Sequence, residues 1–270
     1  HYVPNFPISN ISHYSHACNC DMTFGLFLPE VADHKKVPIL WFLSGLTCTH
    51  ENAMVKAGAQ QWASKKSLAL IFPDTSPRGD GVPNHADFDL GQGAGFYLDA
   101  KSSVWCNHFN MGTYIKDELS DLIFDNYNLD QSRQGITGHS MGGLGALNFA
   151  LKNQGQFLSV SAFSPIANPT KSEWGQKQFE AYLGRDSKLW RDYDPSILLE
   201  EKGFKTKILI DQGESDNFID LLMPKSLSDQ FKRNNNLGQF RYQRGYDHSY
   251  FFVSTFIQDH IEHHADILFS

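Results

Sequence analysis

The segment Gly138-His139-Ser140-Met141-Gly142-Gly143 places a serine where a hydroxyl becomes a nucleophile. An apolar run, Gln134 to Thr137, precedes it, and a helix-like run, Leu144 to Ala150, follows it, so the serine stands at a sharp strand-to-helix turn. Such a turn strains the serine backbone, and the residues two before and two after it must be almost free of side chain for strand and helix to approach. Gly138 and Gly142 meet that demand, while Gly143 and Gly145 let the helix pack close to the sheet. A serine needs a base, and the base needs a carboxylate to orient it. From a serine on such an elbow these partners follow in the order carboxylate, then histidine, each on a loop beyond a strand's carboxyl end.

The exit from the strand Ile208–Asp211 offers four carboxylates: Asp211, Glu214, Asp216 and Asp220. Asp211 ends the strand and reads as a structural hydrogen-bond acceptor. Asp216 lies past Gly213, in the loop itself, and is favoured on position. His248, in Gly245-Tyr246-Asp247-His248-Ser249-Tyr250, follows the strand Phe240–Arg244 and precedes the last helix, the place a base requires. His13, His16, His50, His85 and His108 come before the serine. His139 points the wrong way along the elbow. His260, His263 and His264 are spaced for a metal on one helix face, but a solvated face is the expected reading.

The oxyanion that forms on the substrate needs two aligned backbone donors. The N–H of Met141, at a helix N-terminus, is one. The other is expected from Leu46, in the strand exit Leu43-Ser44-Gly45-Leu46-Thr47-Cys48, where the glycine permits the turn. Cys48 then lies near the nucleophile without being one, and alkylating it is expected to block the site. Gly91-Gln92-Gly93-Ala94-Gly95-Phe96-Tyr97 lacks the lysine of a phosphate loop and joins no strand to a helix, so it reads as a compact turn. Phe96, Tyr97 and Trp105 are expected to wall the pocket.

The elements that must position these groups are legible from periodicity. Strands are expected at Met22–Leu28, Val37–Leu43, Leu68–Phe72, Gly135–Gly138, Val160–Phe163, Ile208–Asp211 and Phe240–Arg244. Helices are expected at Asn52–Lys65, Tyr114–Tyr127, Met141–Lys152, Glu173–Leu183, Pro224–Asn234 and Tyr250–Leu268. Continuously apolar strands alternating with amphipathic segments predict one α/β domain over residues 1–270, a mostly parallel sheet covered by helices on both faces. Trp174 to Asp194 reads as an excursion over the active-site face.

Composition narrows the function classes. Hydrophobic residues make up 41% and charged residues 20%, which suits a globular protein and argues against disorder. A net charge of −7 argues against a general nucleic-acid binder but leaves room for a local cationic pocket. No apolar run approaches the roughly 18–20 residues that span a bilayer, so no membrane partner is expected. The start, His1 to Phe6, lacks signal-peptide features and an initiator Met, so the chain reads as trimmed or incomplete there. Cys18, Cys20, Cys48 and Cys106 are too few and too irregular for a disulfide framework, and reduced thiols in a cytoplasmic protein are expected.

Several segments together resemble the S-formylglutathione hydrolases, the esterase D family of the α/β-hydrolase superfamily. They are Leu43 to Asn52, Phe72 to Gly79, Gly93 to Ala100, Gly138 to Gly143, Asp211-Gln212-Gly213 with Asp216, and Asp247 to Tyr250, and they span nearly the whole chain. The resemblance implies an α/β-hydrolase fold, a Ser140–His248–Asp216 triad and oxyanion donors at Leu46 and Met141. It also implies hydrolysis of the thioester S-formylglutathione to formate and glutathione, with short-chain esters as further substrates and no metal or cofactor. A homodimer is implied as well. Trp105-Cys106-Asn107-His108-Phe109 departs from the family pattern, which bears on pocket shape. The competing readings are a general carboxylesterase or acyltransferase on the same triad, and a non-catalytic hydrolase-fold binding module.

Overall fold

The computed structural model describes residues 8–234 and 237–270; the opening segment His1–Phe6 lies outside them. The described strands are β1 (Ile8–Ser15), β2 (Cys20–Phe27), β3 (Val37–Leu43), β4 (Ala69–Pro73), β5 (Leu129–Gly138), β6 (Phe157–Phe163), β7 (Ile208–Gly213) and β8 (Gly238–Gln243). They form a single sheet in the order β1-β2-β4-β3-β5-β6-β7-β8. β1 and β2 are antiparallel to each other, β2 is antiparallel to β4, and every pairing from β4 to β8 is parallel.

The α-helices are α1 (His50–Lys56), α2 (Gln60–Lys65), α3 (Met111–Thr113), α4 (Leu119–Asn126), α5 (Met141–Lys152), α6 (Glu173–Leu183), α7 (Ser187–Trp190), α8 (Pro195–Lys202), α9 (Ile219–Leu222), α10 (Lys225–Arg233) and α11 (Tyr250–Leu268). Side chains alternate across the strands and so feed two cores. From β3, Ile39, Trp41 and Leu43 enter the core beneath α5, whereas Leu40 and Phe42 enter the core that holds Phe252, Val253 and Ile257 of α11. Full burial of β3 on both faces explains its unbroken apolar sequence.

Three expectations need correction. The helix expected over Asn52–Lys65 is two helices, because Gly58 adopts φ +67° and ends the first run. The helix expected over Tyr114–Tyr127 starts earlier, at Met111, and passes through one π-helical turn, Tyr114–Glu118, before α4. Glu118, at the end of that turn, accepts hydrogen bonds from Ser15 Oγ (2.8 Å) and Ala17 N (2.9 Å), tying it to the β1–β2 hairpin.

The third correction concerns α11. His260 and His264 are fully buried and His263 is half-buried, so they do not form a solvated face. His260 and His264 fall on the same stripe as Val253, Ile257, Ile261 and Leu268, the stripe that packs on the sheet. Polar groups of the strands beneath supply their partners. β1, which sequence patterning missed, is an edge strand, exposed or half-buried at every residue but the last, Ser15, with no apolar run to reveal it.

Candidate active site

Ser140 sits between β5 and α5 with φ 60° and ψ −118°, a left-handed backbone on a residue with a side chain. Holding such a conformation costs on the order of 1–3 kcal/mol, which the surroundings must supply. They do so by direct bonds: His139 N donates to Leu43 O (3.1 Å) and Ser140 N to Phe163 O (2.9 Å), tying the elbow to strands on either side. The turn is also closed to larger residues. A Cβ on Gly138 would collide with the Gly142 carbonyl, and one on Gly142 with the Leu43 carbonyl. Two hydrogen bonds and two close backbone approaches therefore fix where the hydroxyl stands.

Asp216 follows β7 in a loop that is bonded to the loop after β8. Glu214 N donates to Gln243 O (3.1 Å) and Ser215 N to Tyr246 O (2.9 Å). Gly213 permits the approach, since a Cβ there would meet the Tyr246 carbonyl. The result is a hydrogen bond of 2.6 Å between His248 Nδ1 and Asp216 Oδ2. Asp216 is almost fully buried and also accepts from Phe218 N (2.8 Å) and Gln212 Nε2 (3.1 Å). Burial pushes its carboxyl up, but the hydrogen bond and charge of His248 outweigh that and hold it below the ordinary carboxylate value.

The His248 ring is held on two sides. The His139 ring lies 4.5 Å from it, centroid to centroid, and Phe218 meets it edge-on at 5.0 Å. His139 is thus part of the packing around His248, which its exclusion as a base does not anticipate. Burial, together with the neighbouring His248, holds the His139 ring well below the ordinary histidine value, so it stays neutral. With Nδ1 of His248 committed to Asp216, Nε2 is the nitrogen left for the cavity.

Ser140 and His248 line one cavity of about 380 Å³ with Gly45, Leu46 and Cys48. Among the described residues, no hydrogen bond engages the N–H of Leu46 or of Met141. The strand exit that carries Leu46 is braced from three directions. Thr47 N donates to Gly93 O (2.9 Å), Tyr97 Oη to Ser44 O (2.8 Å), and Arg78 Nη2 to Cys48 O (2.6 Å). Arg78 is itself held by Asp74 at 3.0 Å, so the two segments Phe72–Gly79 and Gly93–Ala100 serve as struts for this loop. The left-handed residue of the turn is Thr47 (φ 64°), not Gly45. Gly45 is instead the point of close approach, 3.3 Å from its absent Cβ to the Cβ of Ser140.

Cys48 lines the cavity, and burial pushes its thiol up, so it stays protonated. Phe96 and Trp105 do not line it. Trp105 packs against Phe109 and Tyr182, and Phe96 stands behind Trp174, edge-on at 6.1 Å. The apolar wall comes instead from Phe88, Trp174, Phe218 and Leu221. Trp174 belongs to the expected excursion over this face. Phe88 stands between two aspartates in a loop and carried no sequence signal.

A second serine–histidine–aspartate grouping lies in the core beneath α11. His260 Nε2 is 3.1 Å from Asp211 Oδ2, and His260 Nδ1 is 2.8 Å from Ser161 Oγ. Ser161 Oγ is also 2.8 Å from His264 Nε2, whose Nδ1 is 2.6 Å from Ser159 Oγ. Asp211 accepts from Arg241 Nε (2.7 Å) and Gln243 Nε2 (2.9 Å) as well. Burial pushes the Asp211 carboxyl up, yet its bonds to His260, Arg241 and Gln243 bring it down to about 2. Every member of this grouping except Arg241 and Gln243 is closed to solvent.

Comparison with known proteins places this geometry in context. The Esterase family model matches residues 15–263. An S-formylglutathione hydrolase of Paracoccus denitrificans is 56% identical over 256 residues, covering 95% of this chain and 92% of that protein. The solved structure of an S-formylglutathione hydrolase from Agrobacterium tumefaciens has a TM-score of 0.95 at 42% identity, covering 99% of this chain and 98% of that one. FphF, a fluorophosphonate-binding serine hydrolase of Staphylococcus aureus, shares the fold, with a TM-score of 0.75 at 21% identity over 96% of this chain and 98% of its own.

Proposed function

The chain belongs to the esterase family and, within it, to the S-formylglutathione hydrolases, and from that premise we propose that it hydrolyses S-formylglutathione through Ser140, His248 and Asp216. The observation that carries the choice of residues is access. Ser140 and His248 share a cavity wall, with His248 oriented by a carboxylate at 2.6 Å, whereas the Ser161 grouping has no opening to a substrate.

In this reading His248 Nε2 takes the Ser140 proton as Oγ attacks the formyl carbon. Asp216 holds the Nδ1–H and stabilises the imidazolium that results. The N–H groups of Leu46 and Met141 take the oxyanion, the second of them at the positive end of α5; losing one such donor typically costs roughly 10²–10³ in kcat. The thioester then breaks to release glutathione thiolate, a good leaving group that needs little acid assistance; the His248 proton passes to that thiolate or to solvent as it departs, which returns the imidazole to its neutral form. Water, deprotonated by His248, attacks the formyl-serine, and formate leaves as Ser140 regains its proton.

Short-chain esters are expected as further substrates, because the cavity wall of Phe88, Trp174, Phe218 and Leu221 is apolar. A cytoplasmic site of action fits the same reading, since glutathione keeps thiols reduced there and the four cysteines are free. Among the described residues no helix is long and apolar enough to cross a membrane. The homodimer implied by the resemblance is checked by light scattering of the purified protein. For the substrate, kcat/KM is measured on S-formylglutathione and on a series of short p-nitrophenyl esters. The thioester is expected to exceed every ester; equal or lower turnover of the thioester would instead favour a general carboxylesterase.

A further inference from the structure

The chain carries 30 acidic residues against 23 lysines and arginines. Yet among the described residues the cavity that holds Ser140 and His248 has no carboxylate in its wall, and the one lysine or arginine there is Lys56. Lys56 lies in the last turn of α1, is exposed, and enters no ion pair among the described residues. An ammonium kept unpaired beside a reactive serine, in a chain rich in carboxylates, is a ready partner for an anionic group on the substrate.

Two neighbours define the direction in which that group would lie. Asn52, four residues earlier and hence on the same face of α1, also lines the cavity. Its Oδ1 accepts from Thr49 N at 2.9 Å, which leaves the Nδ2 donors of the amide for the cavity. On the other side, Lys56, Ser249 and Tyr250 are shared with a second hollow of about 510 Å³ that Phe251 and Ser254 complete. The two hollows therefore meet at Lys56, and a ligand longer than an acyl group can run from Ser140 past Asn52 and Lys56 into the outer one.

We propose that Lys56 recognises a carboxylate of the glutathionyl leaving group and so separates the thioester from simple esters in binding. This rests on S-formylglutathione being the substrate. Glutathione is a tripeptide with a carboxylate at each end, whereas a short alkyl or aryl ester carries none. Lys56 touches the part of the substrate remote from the reacting carbon, so it acts on KM and leaves the chemical step alone.

The test measures kcat and KM for S-formylglutathione and for p-nitrophenyl acetate in the native enzyme and in Lys56→Ala, Lys56→Glu and Lys56→Arg. For the thioester, Lys56→Ala is expected to raise KM about three- to fivefold, the range of an exposed ion pair, with kcat unchanged. Lys56→Glu raises it further, and Lys56→Arg restores it. KM for p-nitrophenyl acetate stays the same in all four proteins, and glutathione inhibits that reaction more weakly in Lys56→Glu. Added salt raises the thioester KM of the native enzyme but not that of Lys56→Ala. Native enzyme that fails to hydrolyse S-formylglutathione overturns the substrate reading, and the role of Lys56 with it. Native activity on the thioester with an unchanged KM in Lys56→Ala and Lys56→Glu overturns the role of Lys56 alone, as does an equal shift for both substrates.

Discussion

Among the described residues, serine, histidine and aspartate are grouped in two places of opposite character: Ser140 and His248 share a cavity wall with Asp216 bonded to His248, while Ser161, His260 and Asp211 are joined by hydrogen bonds in the core. Around Asp216 the other donors are neutral, the Gln212 amide and the Phe218 N–H, so its charge is left for His248. Asp211 is already neutralised by the two-pronged Arg241 guanidinium, and His260 finds there only a structural acceptor. Ser140 is strained at a helix N-terminus and faces a cavity, whereas Ser161 sits in β6 as an ordinary strand residue closed to solvent. Proximity of the three residue types does not make a nucleophile. Access, an uncommitted carboxylate and nearby backbone donors do.

The sharpest way to break this contrast is to remove each serine in turn. Ser140→Ala is expected to lower kcat by about 10⁴-fold or more with the melting temperature nearly unchanged. Ser161→Ala should leave kcat per folded molecule near native and cost about 1–3 kcal/mol of stability, because His260 and His264 lose a buried partner. Steady-state kinetics paired with thermal melting reads both. A large loss of kcat in Ser161→Ala, with the protein folded, would reverse the assignment.

The carboxylates give a second comparison of nearly the same size. Asp216→Asn is expected to cut kcat about 10⁴-fold while the fold persists, since His248 loses its orienting anion. Asp211→Asn removes the buried anion that His260, Arg241 and Gln243 share, while Arg241 stays partly exposed and paired with Asp259; it should cost about 1–3 kcal/mol in stability, with the activity of the remaining folded protein retained. Urea unfolding and kcat on the same samples separate the two outcomes.

A third comparison distinguishes the regions by pH. Burial holds His264 well below the ordinary histidine value, lowers His260, and brings His263 to about 4. All three are neutral in the folded state but would take up protons in the unfolded chain below about 6.5. Their stability contribution is thus fully present above about 6.5 and is lost as the pH falls toward 4. Each histidine adds a slope of up to about 1.4 kcal/mol per pH unit within that window. The Asp211 carboxyl, at about 2, adds its own loss only below the ordinary carboxylate range. Thermal melts from pH 7.5 to 5 should show a steady fall that His264→Leu makes shallower. A flat profile would mean the buried histidines do not differ in protonation between the two states.

The serine elbow was readable in advance because its demands are local: Gly138 and Gly142 are required by the turn itself, and the strand and helix flanking it are strongly patterned. Val37–Leu43, Met141–Lys152, Glu173–Leu183 and Tyr250–Leu268 were legible for the same reason, and their observed bounds match the expected ones. What depended on tertiary placement was not legible. The histidines of α11 read as surface because polar residues usually are, and only the packed sheet shows Ser159, Ser161 and Asp211 waiting beneath them. Likewise Phe88 and Trp174 replace Phe96 and Trp105 in the cavity wall because loops distant in sequence fold over the site. The α/β-hydrolase fold, by contrast, followed from the alternation of elements and from the family.

The most direct test of the central claim is to treat the native enzyme with a small alkyl fluorophosphonate and map the adduct by peptide mass spectrometry. One stoichiometric adduct on Ser140, with activity lost in proportion and no labelling in His248→Ala, is the expected result. An adduct on Ser161, or full inactivation with Ser140 unmodified, would contradict the account.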